Sequence, residues 1–393
     1  MKKGWETKRL GDVLEKTETV NPAVLFPNAE FEYIDVSSVS NMAYMIEKTQ
    51  RLKGKDAPSR ARKVVRTNDI LFATIRPTLQ RIAIVPEHLD KQVCSTGFFV
   101  LRPKQGIDHR FVFYWLFTGD FLGQMEHLQK GASYPAVTDG DVRAQAIPLP
   151  PLPEQRRIVG LLDEAFAAIA TAKANAEKNL QNAREIFESH LNEVFAKKGE
   201  GWVEKRLGDV CTITSTLVDP RKNEFLDLTH VGAGNIESKT GVFIDLKTAR
   251  EEGLISGKFL FDESMVLYSK IRPYLMKAAR PDFKGLCSAD MYPLAPKTNV
   301  ATRDYLFHLL LSKHFTDFAI QGSARAGMPK VNREHLFEFR AWLPDVNRQK
   351  QLATKLDALS AETRRLAAIY TRKLAALEEL KQALLHRAFS GEL

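Results

Sequence analysis

Gly4-Trp5-Glu6-Thr7-Lys8-Arg9-Leu10-Gly11-Asp12-Val13 returns later in the chain as Gly201-Trp202-Val203-Glu204-Lys205-Arg206-Leu207-Gly208-Asp209-Val210, with eight of ten positions identical at an offset of 197. Further pairs follow in the same order. Ile70-Leu71-Phe72-Ala73-Thr74-Ile75-Arg76-Pro77-Thr78-Leu79 matches Val266-Leu267-Tyr268-Ser269-Lys270-Ile271-Arg272-Pro273-Tyr274-Leu275. Cys94-Ser95 matches Cys287-Ser288, and Leu101, Pro103 and Lys104 match Leu294, Pro296 and Lys297. Leu149, Pro150 and Gln155 match Leu343, Pro344 and Gln349, and Phe195 matches Phe389. All offsets lie between 193 and 197. That period is far too long for a solenoid repeat, so it reads as duplication of a whole module.

Each module has two parts. The first, about 150 residues, mixes short β-type runs with a little helix. Ile82–Val85, Phe98–Leu101 and Met265–Tyr268 are strand-like runs between Pro, Gly and Asp, whereas Arg110–Leu122 and Arg303–Phe318 are apolar at helical spacing. The second part is one long helix. The expected organisation is residues 1–150, a β-rich domain; 151–199, a helix; 200–345, a second β-rich domain; and 346–393, a second helix. The fold class is α+β, two pseudo-symmetric β-rich domains each followed by a long helix.

Pro148-Leu149-Pro150-Pro151-Leu152-Pro153 stiffens the entry to the first helix, and no proline follows from Glu154 to Lys198. Apolar or small residues fall at 158, 162, 165, 169, 172, 176, 180, 183, 187, 191 and 194, mostly in alternating steps of three and four, as in a coiled-coil seam. The second helix, from about Val346 to Ala388, carries Leu352, Leu356, Leu359, Thr363, Leu366, Tyr370, Lys373, Leu377, Leu380 and Leu384, with Leu374 able to replace Lys373. About 44 residues at 1.5 Å each is on the order of 65 Å, too long for either stripe to be buried by one 150-residue domain. The economical solution pairs the helices as an antiparallel coiled coil through Ile158, Leu162, Ile169, Leu180 and Phe187 on one and Leu352, Leu356, Leu359, Leu366, Leu377 and Leu384 on the other. Two-fold symmetry between the halves then brings the C-terminal end beside Trp5, as Phe195 runs into Trp202 inside the chain.

The 393 residues hold 57 Lys+Arg against 48 Asp+Glu, a net charge of +9, with 44% hydrophobic residues. This excludes wholesale disorder and suits an acidic partner. Met1–Leu10 is basic but lacks the apolar run of a leader, and no stretch approaches a membrane span, so a cytoplasmic protein without membrane contact is expected. Cys94, Cys211 and Cys287 have neither disulfide nor zinc spacing and are expected as buried, reduced thiols. No phosphate-cradling loop, H-E-x-x-H, G-x-S-x-G or paired C-x-x-C occurs, so no catalytic, cofactor or metal-ligating residue is assigned. Gly232-Ala233-Gly234 is a fragment of a glycine-rich loop, Asn21-Pro22 lacks the rest of an amino-methyltransferase motif, and Pro281-Asp282-Phe283-Lys284 lacks the acidic spacing of a nuclease. His230 reads as a surface loop residue.

Duplication, basicity and rigid spacing without catalytic motifs suit recognition of two separated sites on one long ligand. DNA offers phosphates along its length and base edges in its major groove. Arg51, Lys53, Lys55, Arg60, Arg62, Lys63 and Arg66 stand against one acid, Asp56, a phosphate-binding pattern that a solvated loop also matches. Residues 40–66 and 232–260 differ most between halves, which is where two domains would read different bases. Lys130, Ser133 and Tyr134 occupy one glycine-containing loop, and Ser323, Arg325 and Lys330 the equivalent one. Arg76 and Arg272 recur in a turn after a strand and suit a phosphate or an ion pair. Lys239 and Lys270 complete the DNA-binding candidates.

The doubled opener, the two Ile-Arg-Pro turns, the Cys-Ser strands, Pro148–Ile158 and Leu384–Leu393 together resemble the specificity subunit of a type I restriction–modification system, over the whole chain. The second half departs at Leu343-Pro344-Asp345-Val346-Asn347-Arg348-Gln349, where the proline-rich entry is weaker. The resemblance implies that each β-rich part is a target-recognition domain reading one half of a bipartite, asymmetric sequence in double-stranded DNA. It implies that the helices form the spacer, that two methyltransferase (modification) subunits dock on the chain, and that two restriction subunits can join them. S-adenosylmethionine, ATP and magnesium are then expected on those partners, and this chain is no enzyme. The same residues suit a methylation-only system. An enzyme with unfamiliar motifs would bind a cofactor by itself, and a protein-only scaffold would show no salt-sensitive DNA binding.

Overall fold

A computed structural model describes residues 4–213, 216–323 and 329–393. The chain forms two compact units, Met1–Ala176 with Arg372–Leu393, and Glu177–Thr371.

The first unit opens with strand Glu6–Arg9, which pairs antiparallel with Ala146–Leu149. A four-stranded sheet runs Gln50–Lys53, Glu30–Ile34, Val93–Ser95, Ala61–Val64, and a three-stranded sheet runs Ile82–Ile84, Ile70–Ala73, Phe98–Leu101. The second unit repeats this plan. Val203–Arg206 pairs with Arg340–Leu343. A five-stranded sheet runs Leu217–Val218, Lys258–Phe261, Gly285–Cys287, Thr229–Val231, Lys247–Thr248, and a four-stranded sheet runs Cys211–Ile213, Met291–Pro296, Val266–Ser269, Ala278–Ala279. One parallel pair marks each unit, placing Ile34 opposite Cys94 and Val231 opposite Cys287. The glycine of the repeated opener answers to packing: a Cβ on Gly11 would meet the Arg143 Cβ at 3.1 Å, and one on Gly208 the Phe337 Cβ at 3.2 Å.

Each expected medium helix is two helices. Arg110–Leu122 divides into His109–Trp115 and Gly119–Leu128, and Arg303–Phe318 into Arg303–Leu310 and Lys313–Gln321. The break lies at an N-cap inside the apolar period. The Thr118 hydroxyl accepts the Phe121 N–H, and the Ser312 hydroxyl accepts that of Phe315. Tertiary burial of both faces hides the interruption from periodicity alone.

The long helices span Leu152–Ala196 and Val346–Ser390 and pack antiparallel. In the first unit Arg157 donates to the Leu393 carbonyl at 2.7 Å, and the Lys381 ammonium lies 5.7 Å from the Phe166 ring centre. In the second unit Leu191 and Phe195 share a core with Leu352 and Leu356. Every seam position expected on the first helix is buried or half-buried. Of the pairing residues, Ile158, Leu162 and Leu356 are buried, and Ile169, Leu180, Phe187, Leu352, Leu359, Leu366, Leu377 and Leu384 are half-buried. The second helix departs from expectation at Lys373 and Leu380, which are exposed. Leu374 replaces the first. Lys381 replaces the second, its stem covered and its ammonium lying 4.9 Å from the Tyr44 ring centre. A lysine with an apolar stem can occupy a seam that a strict apolar reading assigns to its neighbour.

Trp5, Leu10, Leu385, Ala388, Phe389 and Leu393 share one core, so the C-terminal end lies beside the first strand. The three cysteines are buried thiols. Burial pushes Cys211 and Cys287 up to about 12 and Cys94 higher still, so none is a thiolate at neutral pH. Among the described residues no helix is long and apolar enough to cross a membrane.

Candidate nucleic-acid interface

The repeated Arg-Pro motif builds the same backbone twice. Arg76 (φ 50°) and Gln80 (φ 51°) are left-handed on either side of the turn Pro77–Leu79. Arg272 (φ 49°) and Met276 (φ 50°) flank Pro273–Leu275 in the same way. Left-handed non-glycine residues are uncommon, so two pairs at matching positions require tertiary support. The loop that follows supplies it. The Arg76 N–H donates to the Pro135 carbonyl at 2.7 Å, and the Arg272 N–H to that of Pro329 at 2.9 Å. Isolated bridges Ile75–Ala136 and Ile271–Lys330 lock the same two segments together.

In the first unit the loop closes through paired Lys130 and Ala136 backbone bonds, with Gly131 at φ 103°. The Arg76 guanidinium lies 5.4 Å from the Tyr134 ring centre and donates to the Ser133 carbonyl at 3.4 Å. Lys130, Ser133 and Tyr134 are exposed, Tyr134 by 73%. The result is a held cation on an open aromatic face, with a second cation and a hydroxyl at its edge. Such a group can contact phosphate or stack on a base. In the second unit Arg272 is exposed with no side-chain partner among the described residues, and Tyr274 beside it is 52% exposed. Tyr274 escaped the sequence reading, although an aromatic residue directly after Arg-Pro was its signal. Lys330 is exposed and paired with Asp290 at 2.9 Å. Arg325 lies outside the described residues.

The basic segment of the first unit divides sharply. Lys53, Lys55 and Arg60 are exposed and make no side-chain bond among the described residues. Arg51 pairs with Glu30, and Arg66 with Glu18. Arg62 is half-buried and donates to the Ala61 carbonyl at 3.0 Å. Lys63 is held inside the unit by Asp139 and the Phe98 carbonyl, both at 2.7 Å.

Other candidates also have structural partners. Ser323 is buried and bonds the Ile320 carbonyl at the end of its helix. Lys270 is half-buried beside Tyr292 and Asp290, and burial lowers its pKa. Lys239 pairs with Glu188 of the first long helix at 2.6 Å, while Arg364 of the second helix donates to the neighbouring Thr240 carbonyl at 2.8 Å. In the first unit the matching loop sets Tyr44 against the Phe117 ring at 4.6 Å and beside Lys381. The start of each variable region is therefore anchored to the long helices within its own unit. His230 is not a surface loop residue: it lies buried in strand Thr229–Val231, with Nδ1 2.8 Å from Glu252. Burial lowers its pKa against the pull of that carboxylate.

A repeated polar frame joins each sheet region to the helices. Gln155 accepts the Asp108 N–H and donates to the Pro150 carbonyl, and Gln349 accepts the Thr302 N–H and donates to that of Pro344. About two turns on, Asp163 accepts from Tyr114 and Arg110. Its counterpart Asp357 meets His308 at 2.9 Å and Arg280 at 2.7 Å. Burial would raise the Asp357 carboxyl, but the bonds from His308 and Arg280 hold it far below the ordinary range. These groups tie the sheet regions to the helices, and no group of three side chains able to hold a metal occurs among the described residues.

The model of the type I restriction modification DNA specificity domain matches residues 2–181 and again 199–374. The specificity subunit of the type I restriction enzyme EcoDI from Escherichia coli is 29% identical over 71% of this chain and 69% of its own length. A solved chain from work on complex assembly and conformational transition of the type I R-M system covers 100% of this chain and 99% of its own, at TM-score 0.85 and 28% identity. The HsdS subunit from Thermoanaerobacter tengcongensis covers 100% and 98%, at TM-score 0.68 and 29% identity.

Proposed function

This chain belongs to the type I restriction–modification DNA specificity family, and from that premise we propose that each unit reads one half of a bipartite, asymmetric target in double-stranded DNA. The observation that carries this reading is the left-handed Arg-Pro turn, built twice on the same hydrogen bonds and surrounded by different side chains. A shared frame with unlike surroundings suits two half-sites of unlike sequence. Arg76 and Arg272 hold the backbone of each half-site, and neighbouring loop residues read bases. The paired helices set the unread gap, and rigid linkage makes binding of the second half-site nearly intramolecular, raising avidity without new contacts.

Two methyltransferase (modification) subunits dock on the helices and recognition domains, and two restriction subunits can join them. S-adenosylmethionine, ATP and magnesium belong to those partners, and this chain positions the chemistry without performing it. Its place of work is the cytoplasm, where the DNA is.

Mapping methylated bases across the host genome with this gene present and deleted tests the reading. Loss of one two-part asymmetric motif on deletion is the expected result. An unchanged methylome, together with no salt-sensitive DNA binding by the purified chain and its modification subunit, would defeat it.

A further inference from the structure

The first unit contains a cleft of about 530 Å³. Trp115, Phe121 and Phe389 form its apolar floor, and Gln124, Gln145, Asp120 and His386 stand at its rim. The second unit has the same positions 194 residues further on and fills them from its own chain. Phe318 replaces Gln124, Phe339 replaces Gln145, Trp342 replaces Pro148 and His314 replaces Asp120. There Phe339 is buried, with Phe315 at 5.0 Å, His314 at 5.1 Å and Phe318 at 5.3 Å between ring centres. The Lys198 ammonium covers Trp342 at 4.5 Å. The plug in the second unit is thus a cluster of aromatic rings with a lysine on top.

A second difference lies at the helix start beside the cleft. In the second unit Asn192 of the long helix accepts the Lys313 N–H at 2.8 Å. Their counterparts in the first unit are His386 and Gly119. No bond joins those two, and the Gly119 N–H has no acceptor among the described residues. The first unit therefore leaves open both the apolar volume and the backbone donor that the second unit satisfies internally. Asp120 is the one Asp, Glu, Lys or Arg among the residues lining the cleft. Charge complementarity calls for a cation beside the apolar anchor, the pairing that Trp342 and Lys198 make in the second unit.

We propose that this cleft is a socket for a partner protein that presents an aromatic side chain next to a lysine or arginine. Resting on the function proposed above, the partner is the modification subunit, and the socket makes its docking on the first unit differ from its docking on the second. Aromatic anchors in a pre-formed pocket carry a large share of binding energy. The rim carboxamide of Gln124, the side-chain carbonyl of Gln145 (whose amide nitrogen donates to the Asp141 carbonyl at 2.8 Å) and the Gly119 N–H supply hydrogen bonds to the anchor's backbone.

The test titrates the cognate modification subunit onto the full-length chain and onto two variants. Gln124→Phe with Gln145→Phe installs the second unit's plug, and Asp120→Lys reverses the rim charge at an exposed position. The plugged chain is expected to bind about tenfold more weakly with an unchanged melting temperature, and Asp120→Lys several-fold more weakly at low salt. If the plugged chain fails to fold, Asp120→Lys decides. Unchanged affinity in the folded variants overturns the socket while leaving the functional reading intact. Loss of DNA binding with retained subunit binding also overturns it, by giving the cleft to DNA. Failure of the wild-type chain to bind the modification subunit defeats the functional reading, and the partner named for the socket falls with it.

Discussion

Lys53, Lys55, Arg60 and Lys63 stand within eleven residues of each other, yet only the first three keep their charge free. Each free cation that meets a phosphate releases a counterion. Replacing Lys53, Lys55 and Arg60 with alanine should lower the slope of log affinity against log salt by roughly 2–3 and leave target preference unchanged. Binding measured across a salt series checks this, and an unaltered slope would remove the segment from the interface. At the helix junction, Tyr114 and His308 perform the same task with different titration behaviour. Burial lowers the His308 pKa against the pull of Asp357, with Arg280 opposing protonation and Asp304 favouring it. The unfolded chain therefore takes up a proton near pH 6.5 before the folded chain does. Stability is full above that pH and falls as the pH drops toward the folded value. Each pH unit by which folding lowers such a pKa is worth about 1.4 kcal/mol of stability on the acid side. His230 shifts in the same direction, so H308Y should shallow the acid-side loss without abolishing it. Denaturant melts at pH 7 and 5.5 read the difference, and equal slopes for wild type and H308Y would show that His308 is not the titrating group.

At the scale of elements, the two long helices carry one seam that obeys apolar spacing closely in one helix and loosely in the other. Leu356 is 1% exposed and Leu380 47%. Leu356→Ala should cost about 2–5 kcal/mol, the usual range for a buried leucine, and Leu380→Ala no more than about 0.5 kcal/mol. Denaturation midpoints distinguish them, and similar losses would contradict the seam as described. Gln155 and Gln349 bind the start of each long helix to the helix N-cap beside it and to the carbonyl of Pro150 or Pro344, which explains why glutamine recurs there although Pro148, Pro151 and Pro153 do not. The Thr118 and Ser312 breaks belong to this scale as well. A hydroxyl that caps a new helix inside an apolar run is a local signal, and the hydrophobic period passes straight over it.

At the scale of the whole molecule, duplication has kept the framework and released the surroundings. Asp163 and Asp357 hold equivalent places, but the arginine that reaches each carboxylate comes from a helix in one unit and from beside a strand in the other. Divergence of this kind lets two domains read different bases while attaching to the long helices in the same way. Inserting four residues, about one helical turn, into one long helix should lengthen the unread gap and leave both half-sites as they were. Methylome sequencing of the variant reads both properties together. A gap of unchanged length would show that the helices are not the ruler.

The duplication, the two long helices, their antiparallel pairing and the seam of the first were legible in the residues, because repeats and heptad spacing are one-dimensional patterns. The buried cysteines and the recurrence of Gln155, Gln349, Arg76 and Arg272 could be read there too. Which cations are free could not. Lys63 and Lys239 differ from Lys53 only through Asp139 and Glu188, residues far away in sequence that folding brings within 2.7 Å and 2.6 Å. His230 read as a loop residue because its strand is three residues long and lies between Lys247–Thr248 and the far more distant Gly285–Cys287, a pairing that leaves no periodic pattern around it. The open cleft of the first unit was written in Gln124 and Gln145, yet only packing shows that Phe318 and Phe339 close the same space in the second. Sequence determines patterns that a helix or repeat expresses along the chain. Charge pairing, burial and cavities depend on distances across it, and those exist only once the chain has folded.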